Sequence, residues 1–549
     1  MTHPAPISDL ATHEVENQPV PRTGNLSLWQ NDPVLRDHVA RAGADAAAIE
    51  AAGDAFGSDE ARHNAAEARR DPPRLLTHDR AGRRIDEVHF NAGYHAMMDL
   101  GLRHGYAASA WHPTGGARPA GHATHAALCY MLSQVEPGTC CPLTMTYAGV
   151  PALAADPGLS SQWRPALLSH DYDPAIAPVA QKRGATIGMA MTEKQGGSDV
   201  RANSTRAVQD GGAHYRLTGH KWFCSAPMSD AFLTLAQADG GLTCFLVPRW
   251  LEEGRNRLYV QRLKDKLGNR ANASCEIEYD NTRAWRLGEE GAGVKTIIEM
   301  VHHTRLDTAI APAGLMRAAL SEASWWVSGR SAFQRRLIDQ PLMRAVMADL
   351  TLEWDSALAL AMGAARAFDD DCAVGRAYSR IAVALAKYLN NKRAPVMIYE
   401  ALEALGGMGY IEETPMPMLY REAPLNGIWE GSGNVICLDI LRTLAKAPLA
   451  VHALRAQLAS VRDTDPRYDA ALDAHFKRWP ALPPESEARW FTDSLAQLLA
   501  ASHLIAEAPG AVADGYIATR LAGQRGATIG AVSGLDFDAI LARIGTAPE

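Results

Sequence analysis

Apolar positions recur along this chain in two rhythms, and the switch between them divides it. From about residue 31 to 184 the texture is helical, broken at Pro72–Pro73, at His112-Pro113-Thr114-Gly115-Gly116, and at Pro174 and Pro178. Around Gly184 the period shortens to two. His214-Tyr215-Arg216-Leu217-Thr218 follows an Asp210-Gly211-Gly212 turn, and Ala231–Ala236 and Leu242–Val247 flank Asp239-Gly240-Gly241. Cys275, Ile277 and Tyr279 alternate with Glu276 and Glu278. Alternation bounded by Gly and Asp predicts strands joined by tight turns, hence a small β domain over 185–289. Helical spacing returns after Gly293. Pro341 suits a first helical turn, where its missing N–H costs nothing. Met343, Val346, Met347 and Leu350 then fall at i, i+3, i+4 and i+7. A further helix through Ile398 and Leu405 is predicted to stop at Gly406-Gly407.

The ends add two more segments. Residues 1–30 carry Pro4, Pro6, Pro19 and Pro21 with few apolar anchors, which reads as an extended arm. Pro448 and the Pro-containing stretches near 463–466 and 480–484 mark a boundary before an added helical domain. The expected fold class is α+β in five parts: an arm (1–30), a helical domain (31–184), a β domain (185–289), a helical bundle (290–445) and a C-terminal helical domain (446–549).

Composition narrows the function classes. A 47% hydrophobic and 21% charged chain is an ordinary globular protein. Its net charge of −8 gives no global pull toward nucleic acid. Eight cysteines form no CxxC pair, which suits a reducing cytosol better than a disulfide framework. The polar, acidic N-terminus lacks the features of a signal peptide, and no apolar run approaches the ~20 residues that span a bilayer. The expected location is cytoplasmic, with no membrane partner and no metal.

Four stretches could carry chemistry. In Met189–Asp199, Gly196 and Gly197 let the backbone approach a ligand, while Thr192 and Ser198 offer hydroxyls. Alone, such a loop is more often only a turn. In Gly219–Ser225, Trp222 and Phe223 beside Ser225 could wall a flat ring or could be core, and His220 and Lys221 read as a solvated turn. Leu405–Tyr410 lacks GxGxxG spacing and a preceding strand, so it is a helix C-cap rather than a dinucleotide loop. In Ile428-Trp429-Glu430-Gly431-Ser432-Gly433-Asn434, a carboxylate between an aromatic and a glycine suits proton abstraction in a dry pocket; in isolation Glu430 would be a surface turn residue.

Taken in order, MTEKQGGSDV, GHKWFCS, RLKDKLGNR, LGGMGY and LYREAPLNGIWEGSGN resemble the acyl-CoA dehydrogenase superfamily, closest to an alkylation-response branch. The likeness covers 185–445 well and 85–184 less sharply. It implies FAD enclosed by two helical domains and a β domain. It assigns cofactor contacts to Met189, Met191, Thr192, Gly197 and Ser198, to Phe223 and Ser225, and to Ile428, Trp429, Ser432 and Asn434. Arg330 and Phe333 would reach a neighbouring subunit's FAD, implying a homo-oligomer, usually a tetramer. Arg305 and Trp429 would meet the substrate, and Glu430 would be the base that removes the α-proton of an acyl thioester while the β-hydride goes to flavin.

Departures qualify the likeness. The usual aromatic-Glu-Gly-Thr is here Trp429-Glu430-Gly431-Ser432, the glycine after the bridging Phe is Gln334, and Glu403 stands where Gln is common. Two functions compete: an acyl-CoA dehydrogenase, and a flavoprotein of the alkylation-damage response that binds double-stranded DNA through its C-terminal domain, with weak or vestigial dehydrogenase activity. Candidate phosphate contacts are Arg462, Arg467, Lys477, Arg478, Arg520 and Arg525, although from 446 onward twelve acidic residues face ten basic ones. A colourless oligomeric scaffold is the third reading, and it leaves the flavin-type motifs without a purpose.

Overall fold

The structure is a computed structural model that describes residues 17–19, 22–111 and 121–545. Much of the arm, residues 1–16 with 20 and 21, and the predicted break at 112–116 lie outside the described residues. Three helices, α1 (Pro33–Ala42), α2 (Ala46–Phe56) and α3 (Asp59–Arg70), lead to a hairpin of β1 (Arg74–His78) and β2 (Arg84–His89). Four more follow: α4 (Ala92–Arg103), α5 (Gly121–Ser133), α6 (Pro137–Leu153) and α7 (Pro157–Leu167). Aspartate and asparagine caps start many of these helices; Asp32, Asp45, Asn91 and Asp156 each accept a first-turn N–H.

The β-rich segment runs through β3 (Ile187–Ala190), β4 (Arg206–Gln209), β5 (His214–Ser225), β6 (Ala231–Ala238), β7 (Gly241–Pro248), β8 (Trp250–Leu251), β9 (Gly254–Arg255), β10 (Leu258–Leu263) and β11 (Ser274–Leu287). Strand β5 pairs with β4 and β11, β6 with β4 and β7, and the end of β11 returns to β7, which closes a ring. Strands β3 and β10 extend it at the sides. Closure leaves the ring strands no free edge. Tyr215, Leu217, Phe232, Phe245, Ile277 and Tyr279 fill its core from alternate positions.

Helix α8 (Gly293–Gly329) is followed by a two-residue-per-strand hairpin, β12 (Ser331–Ala332) and β13 (Arg335–Arg336). Then come α9 (Pro341–Phe368), α10 (Ala373–Ala404), α11 (Met416–Glu422) and α12 (Gly433–Lys446). The last segment is helical: α13 (Pro448–Ala459), α14 (Pro466–Arg478), α15 (Ala488–Glu507), α16 (Gly510–Tyr516) and α17 (Phe537–Leu541). Pro341 opens α9, and α10 gives way to a left-handed Gly406 with φ of 62°.

The hairpin β1–β2 interrupts the stretch expected to be helical. Asp79 builds its turn by accepting the N–H groups of Ala81 and Arg83, and Gly82 supplies φ of 76°. The signal was the Asp79–Gly82 turn between Leu75-Leu76 and Ile85 with Val88. It is weak because each strand buries only part of one face.

Contacts divide the chain into two compact units. One holds residues up to 59, His122–Val135 and Thr308 onward; the other holds Glu60–Gly121 and Glu136–Asp307. In the first, α9 is buried almost all round from Met347 to Ala365 and packs on α10 and α15. Its Trp354 donates to Tyr130, which donates to Asp32. In the second, the ring of strands packs with α6, where Gly149 has no room for a Cβ beside Ile187.

Candidate active site

Within the β-containing unit, β3 delivers Met189, and Met191, Thr192 and the 193–198 loop follow at once. Gly196 sits at φ of 122°, its N–H bonded back to the Glu193 carbonyl, in a tight turn. Gly197 lies so close to Thr192 that a Cβ would stand 2.5 Å from its Oγ1. Ser198 is exposed. The loop is anchored from beneath by Glu193, which is fully buried and accepts from the Ser204 N–H and hydroxyl, the Thr205 N–H and the Lys221 ammonium at 2.9 Å.

Lys221 therefore corrects the sequence reading. It is not in a solvated turn but in the middle of β5, fully buried, donating to Glu193 and to the Leu235 carbonyl. Strand periodicity carries its side chain inward, and a buried carboxylate satisfies it there. His220 is half-buried, and its Nε2 accepts the Lys194 N–H. Burial alone would raise the Glu193 carboxyl, but hydrogen bonds from Thr205 and Lys221 and the ammonium charge hold it at about 2. Burial pushes the Lys221 amine below its ordinary range.

The two aromatics of β5 separate in role. Trp222 lies under cations, with Lys264 Nζ 3.7 Å and Arg262 5.8 Å from its ring centre. Phe223 has the same Lys264 ammonium 4.9 Å from its ring centre but is 54% exposed, which leaves apolar ring surface for a planar ligand. Ser225 shares a hydrogen bond of 3.1 Å with Ser274, whose Oγ accepts from Lys266 at 3.2 Å. That chain joins GHKWFCS to RLKDKLGNR, and spacing alone did not reveal it. Arg305 is buried on α8. None of the eight cysteines forms a disulfide, seven are buried, and burial lifts the Cys224 and Cys244 thiols to about 12, which leaves them unreactive. Among the described residues no cluster could hold a metal ion.

The helical unit holds the other candidates. Leu425–Gly427 form a 3-10 turn, and Ile428, Trp429, Glu430 and Gly431 lead into α12, which has Ser432 at its N-cap position without a side-chain capping bond and begins with Gly433 and Asn434. Trp429 donates its indole N–H to Asn426 Oδ1 at 2.8 Å. Glu430 is half-buried in a left-handed backbone conformation with φ of 56°, and Gly431 follows at 105°. A non-glycine residue there costs about 1–3 kcal/mol. The bonds that hold it come from Lys387 of α10, which is buried and donates to the carbonyls of Asn426 and Gly431, each at 2.9 Å. Hydrogen bonds from a charged donor contribute about 1.5–3 kcal/mol each, enough to offset the strain. A lone lysine inside the apolar run Ile381–Leu389 was the available signal.

Arg330 directly follows α8 and donates to the Asn17 carbonyl at 2.8 Å. Phe333 and Gln334 form the tip of the β12–β13 hairpin at φ of 51° and 66°. Both central residues are left-handed, as a type I′ turn demands, so Gln334 occupies a position that favours glycine. Phe333 is 93% exposed. Glu403 raises the neighbouring Tyr399 hydroxyl.

The basic residues proposed for duplex contact are mostly committed to carboxylates. Arg462 pairs with Asp473, Arg467 with Asp465 and Asp514, Arg478 with Glu487, and Arg520 and Arg525 with Glu353. Arg520 also pairs with Asp349 and is buried.

The β-unit residues fit a flavin: an open glycine turn at Gly196 with nothing within 4 Å of a built Cβ, a Thr192 hydroxyl, an exposed Phe223 and the Ser225 hydroxyl. A helix–barrel–helix chain with this donor set defines an FAD-dependent flavoprotein of the acyl-CoA dehydrogenase type. Residues 17–174 match the adaptive response protein AidB N-terminal domain, 188–282 the acyl-CoA dehydrogenase middle domain, and 291–445 the acyl-CoA dehydrogenase C-terminal domain. AidB of Escherichia coli strain K12 is 43% identical over 84% of this chain and 86% of its own. Acyl-CoA dehydrogenase family member 11 of Caenorhabditis elegans is 30% identical over 76% of this chain and 70% of its own. The crystal structure of Caenorhabditis elegans ACDH-11 in complex with C11-CoA superimposes with a TM-score of 0.83 at 25% identity, covering 98% of this chain and 93% of that one.

The chain belongs to the acyl-CoA dehydrogenase family, with an AidB-type N-terminal domain. It is accordingly an oxidoreductase acting on CH–CH groups, in a family that uses FAD.

Proposed function

We propose that this protein oxidises an acyl-CoA thioester to its α,β-unsaturated product, with Glu430 as the base. The observation that carries the reading is the left-handed Glu430 on a loop bonded at both ends to a buried ammonium, since strain is retained where geometry matters to function. FAD, when bound, supplies the hydride acceptor. Thr192, Ser198 and Ser225 would hydrogen-bond the flavin, Phe223 would cover one side of it, and the open turn at Gly196–Gly197 would offer backbone N–H groups. The segment Ile428–Asn434, with Met189 and Met191, completes the proposed contact set. The family resemblance assigns Trp429 and Arg305 to contacts with the substrate. The Arg330–Phe333 hairpin would serve a neighbouring subunit, since an exposed phenylalanine on a tight turn is suited to burial in a homo-oligomer. The dehydrogenase reading is favoured over duplex binding because five of the six candidate phosphate contacts are already ion-paired.

Anaerobic titration of the holoenzyme with butyryl-CoA and with C11-CoA tests this. At least one should bleach the visible flavin absorbance, and Glu430→Gln should abolish bleaching while retaining flavin. Absence of bleaching in the unmodified protein with both probes overturns the reading.

A further inference from the structure

We propose that Lys387 is a positioning residue for the Glu430 carboxylate, acting through the backbone of the loop that carries it. The inference rests on Glu430 being the base. Lys387 is 1% exposed in the middle of α10, in a run of apolar residues, and an amine is expensive to bury there unless its donors are used. It spends two of them on carbonyls at the two ends of one short loop, Asn426 and Gly431, both at 2.9 Å. The enclosed residues are Gly427 to Glu430, so the ammonium staples the segment from one side and fixes its span.

The conformation inside the staple shows what it is for. Glu430 and Gly431 both have positive φ, an arrangement that turns the chain and brings the Gly431 carbonyl to Lys387. Relaxing Glu430 to an ordinary backbone conformation would swing that carbonyl away and break the bond. The left-handed state of Glu430 and the Lys387 contact are therefore coupled.

The anchor beneath the staple is itself immobilised. One turn further along α10, Asn390 donates to the carbonyls of Ala309 on α8 and Ala357 on α9, each at 2.9 Å. Asn391 donates to the Thr308 and Lys387 carbonyls at 2.8 Å. It also packs under Gly427, where a Cβ would meet its own Cβ at 3.5 Å. Three buried polar side chains within five residues of α10 thus tie α8, α9 and the loop together. A buried hydrophobic helix has no packing need for a lysine and two asparagines at this level, whereas a carboxylate that must meet a substrate carbon has a need for a fixed backbone.

The test compares Lys387→Met, Lys387→Gln, Lys387→Arg and Glu430→Gln in the holoenzyme, using butyryl-CoA and C11-CoA. A displacement of the carboxylate by about 1 Å lowers turnover by about a hundredfold. Lys387→Met is expected to reduce kcat by that order while KM, the spectral Kd for the probe and the flavin spectrum stay within about threefold of the unmodified protein. Lys387→Arg, which keeps the charge and two donors, should recover part of kcat. Hydrogen exchange of backbone amides over 426–432 should rise in Lys387→Met and stay unchanged along α12. If Lys387→Met does not fold, the kcat ratio of Lys387→Arg to Lys387→Gln and the same local exchange decide the matter. Equal kcat in Lys387→Gln and the unmodified protein, or a loss confined to KM or to flavin retention, overturns the positioning role. Full flavin reduction by Glu430→Gln would instead overturn the assignment of the base, whatever the lysine variants do.

Discussion

The residue that most alters the picture drawn from sequence is Lys221. Adjacent to two aromatics and a histidine, it has the look of a surface turn, yet it forms with Glu193 an ion pair with neither side chain exposed. Removing one partner of such a pair leaves an uncompensated buried charge, which costs about 3–5 kcal/mol, whereas removing both can be nearly neutral. Lys221→Met is expected to lower the urea midpoint by that equivalent, and Glu193→Gln added to it should restore most of the loss; additive losses in the double variant would mean that the pair is not coupled. The Glu193 carboxyl lies below its unfolded value, so its contribution is fully present above about pH 4.5 and is lost as pH falls toward 2. A second residue-scale expectation concerns Gly197, where the clash of a new Cβ with Thr192 Oγ1 would force the loop to move. Gly197→Ala should weaken flavin retention, seen as a higher fraction of colourless protein after gel filtration, while leaving the far-ultraviolet circular dichroism unchanged. An alanine variant that holds flavin as tightly as the unmodified chain would remove this loop from the cofactor site.

At the scale of elements, the sequence was most legible where its period was strong and its punctuation explicit. The hairpin of Ala231–Ala238 and Gly241–Pro248 was announced by Asp239-Gly240-Gly241, and α9 by Pro341 ahead of Met343, Val346, Met347 and Leu350. The β1–β2 hairpin was missed because two half-exposed strands alternate too weakly to stand out from surrounding helix. Candidate residues could be named from their motifs, but the supports beneath them could not: Glu193 with Lys221, Ser274 with Lys266, and Lys387 are brought to their partners by folding across tens of residues, which local spacing does not encode. The pair α14–α15 carries a prediction of its own. His475 is buried against Trp479 and Phe491, and burial pushes its imidazole down to about 4. An unfolded histidine titrates near about 6.5, so between those values only the unfolded state takes up the proton. Stability from this side chain is complete above about pH 6.5 and falls by roughly 3 kcal/mol as pH drops to about 4. Tryptophan fluorescence followed through urea at about pH 7 and about pH 4.5 should show that fall, and His475→Leu should flatten it. An identical pH dependence in the leucine variant would assign the effect to other groups.

For the whole molecule, the question is whether the segment after residue 446 is a tethered module or part of the fold. Helix α9 places Asp349, Glu353 and Asp355 in the interior; burial pushes the Glu353 carboxyl up, but Arg520, Arg393 and Arg525 together outweigh it and hold that carboxyl below its ordinary range. Most of their partners come from the C-terminal segment: Arg520 and the Gly530 N–H on Asp349, Arg520 and Arg525 on Glu353, and Arg543 on Asp355 at 2.9 Å, while Arg393 of α10 adds its charge at Glu353. Deleting residues from Pro448 onward would strand these carboxylates, at about 3–5 kcal/mol for each that stays charged and unpaired. Their sum approaches the whole stability of a typical folded chain, about 5–15 kcal/mol. The truncated protein is therefore expected to be insoluble or to melt without cooperativity, and Asp349→Asn with Glu353→Gln and Asp355→Asn should recover part of its soluble yield. A truncated chain that melts cooperatively within a few degrees of the full one would show that α9 does not need its arginines. The same argument governs how duplex binding must be examined. Loss of binding on truncation would report loss of the fold, so the role of the C-terminal segment has to be read from substitutions of exposed side chains such as Lys477 in the intact chain, where a true phosphate contact lowers the dependence of log affinity on log salt by about one unit.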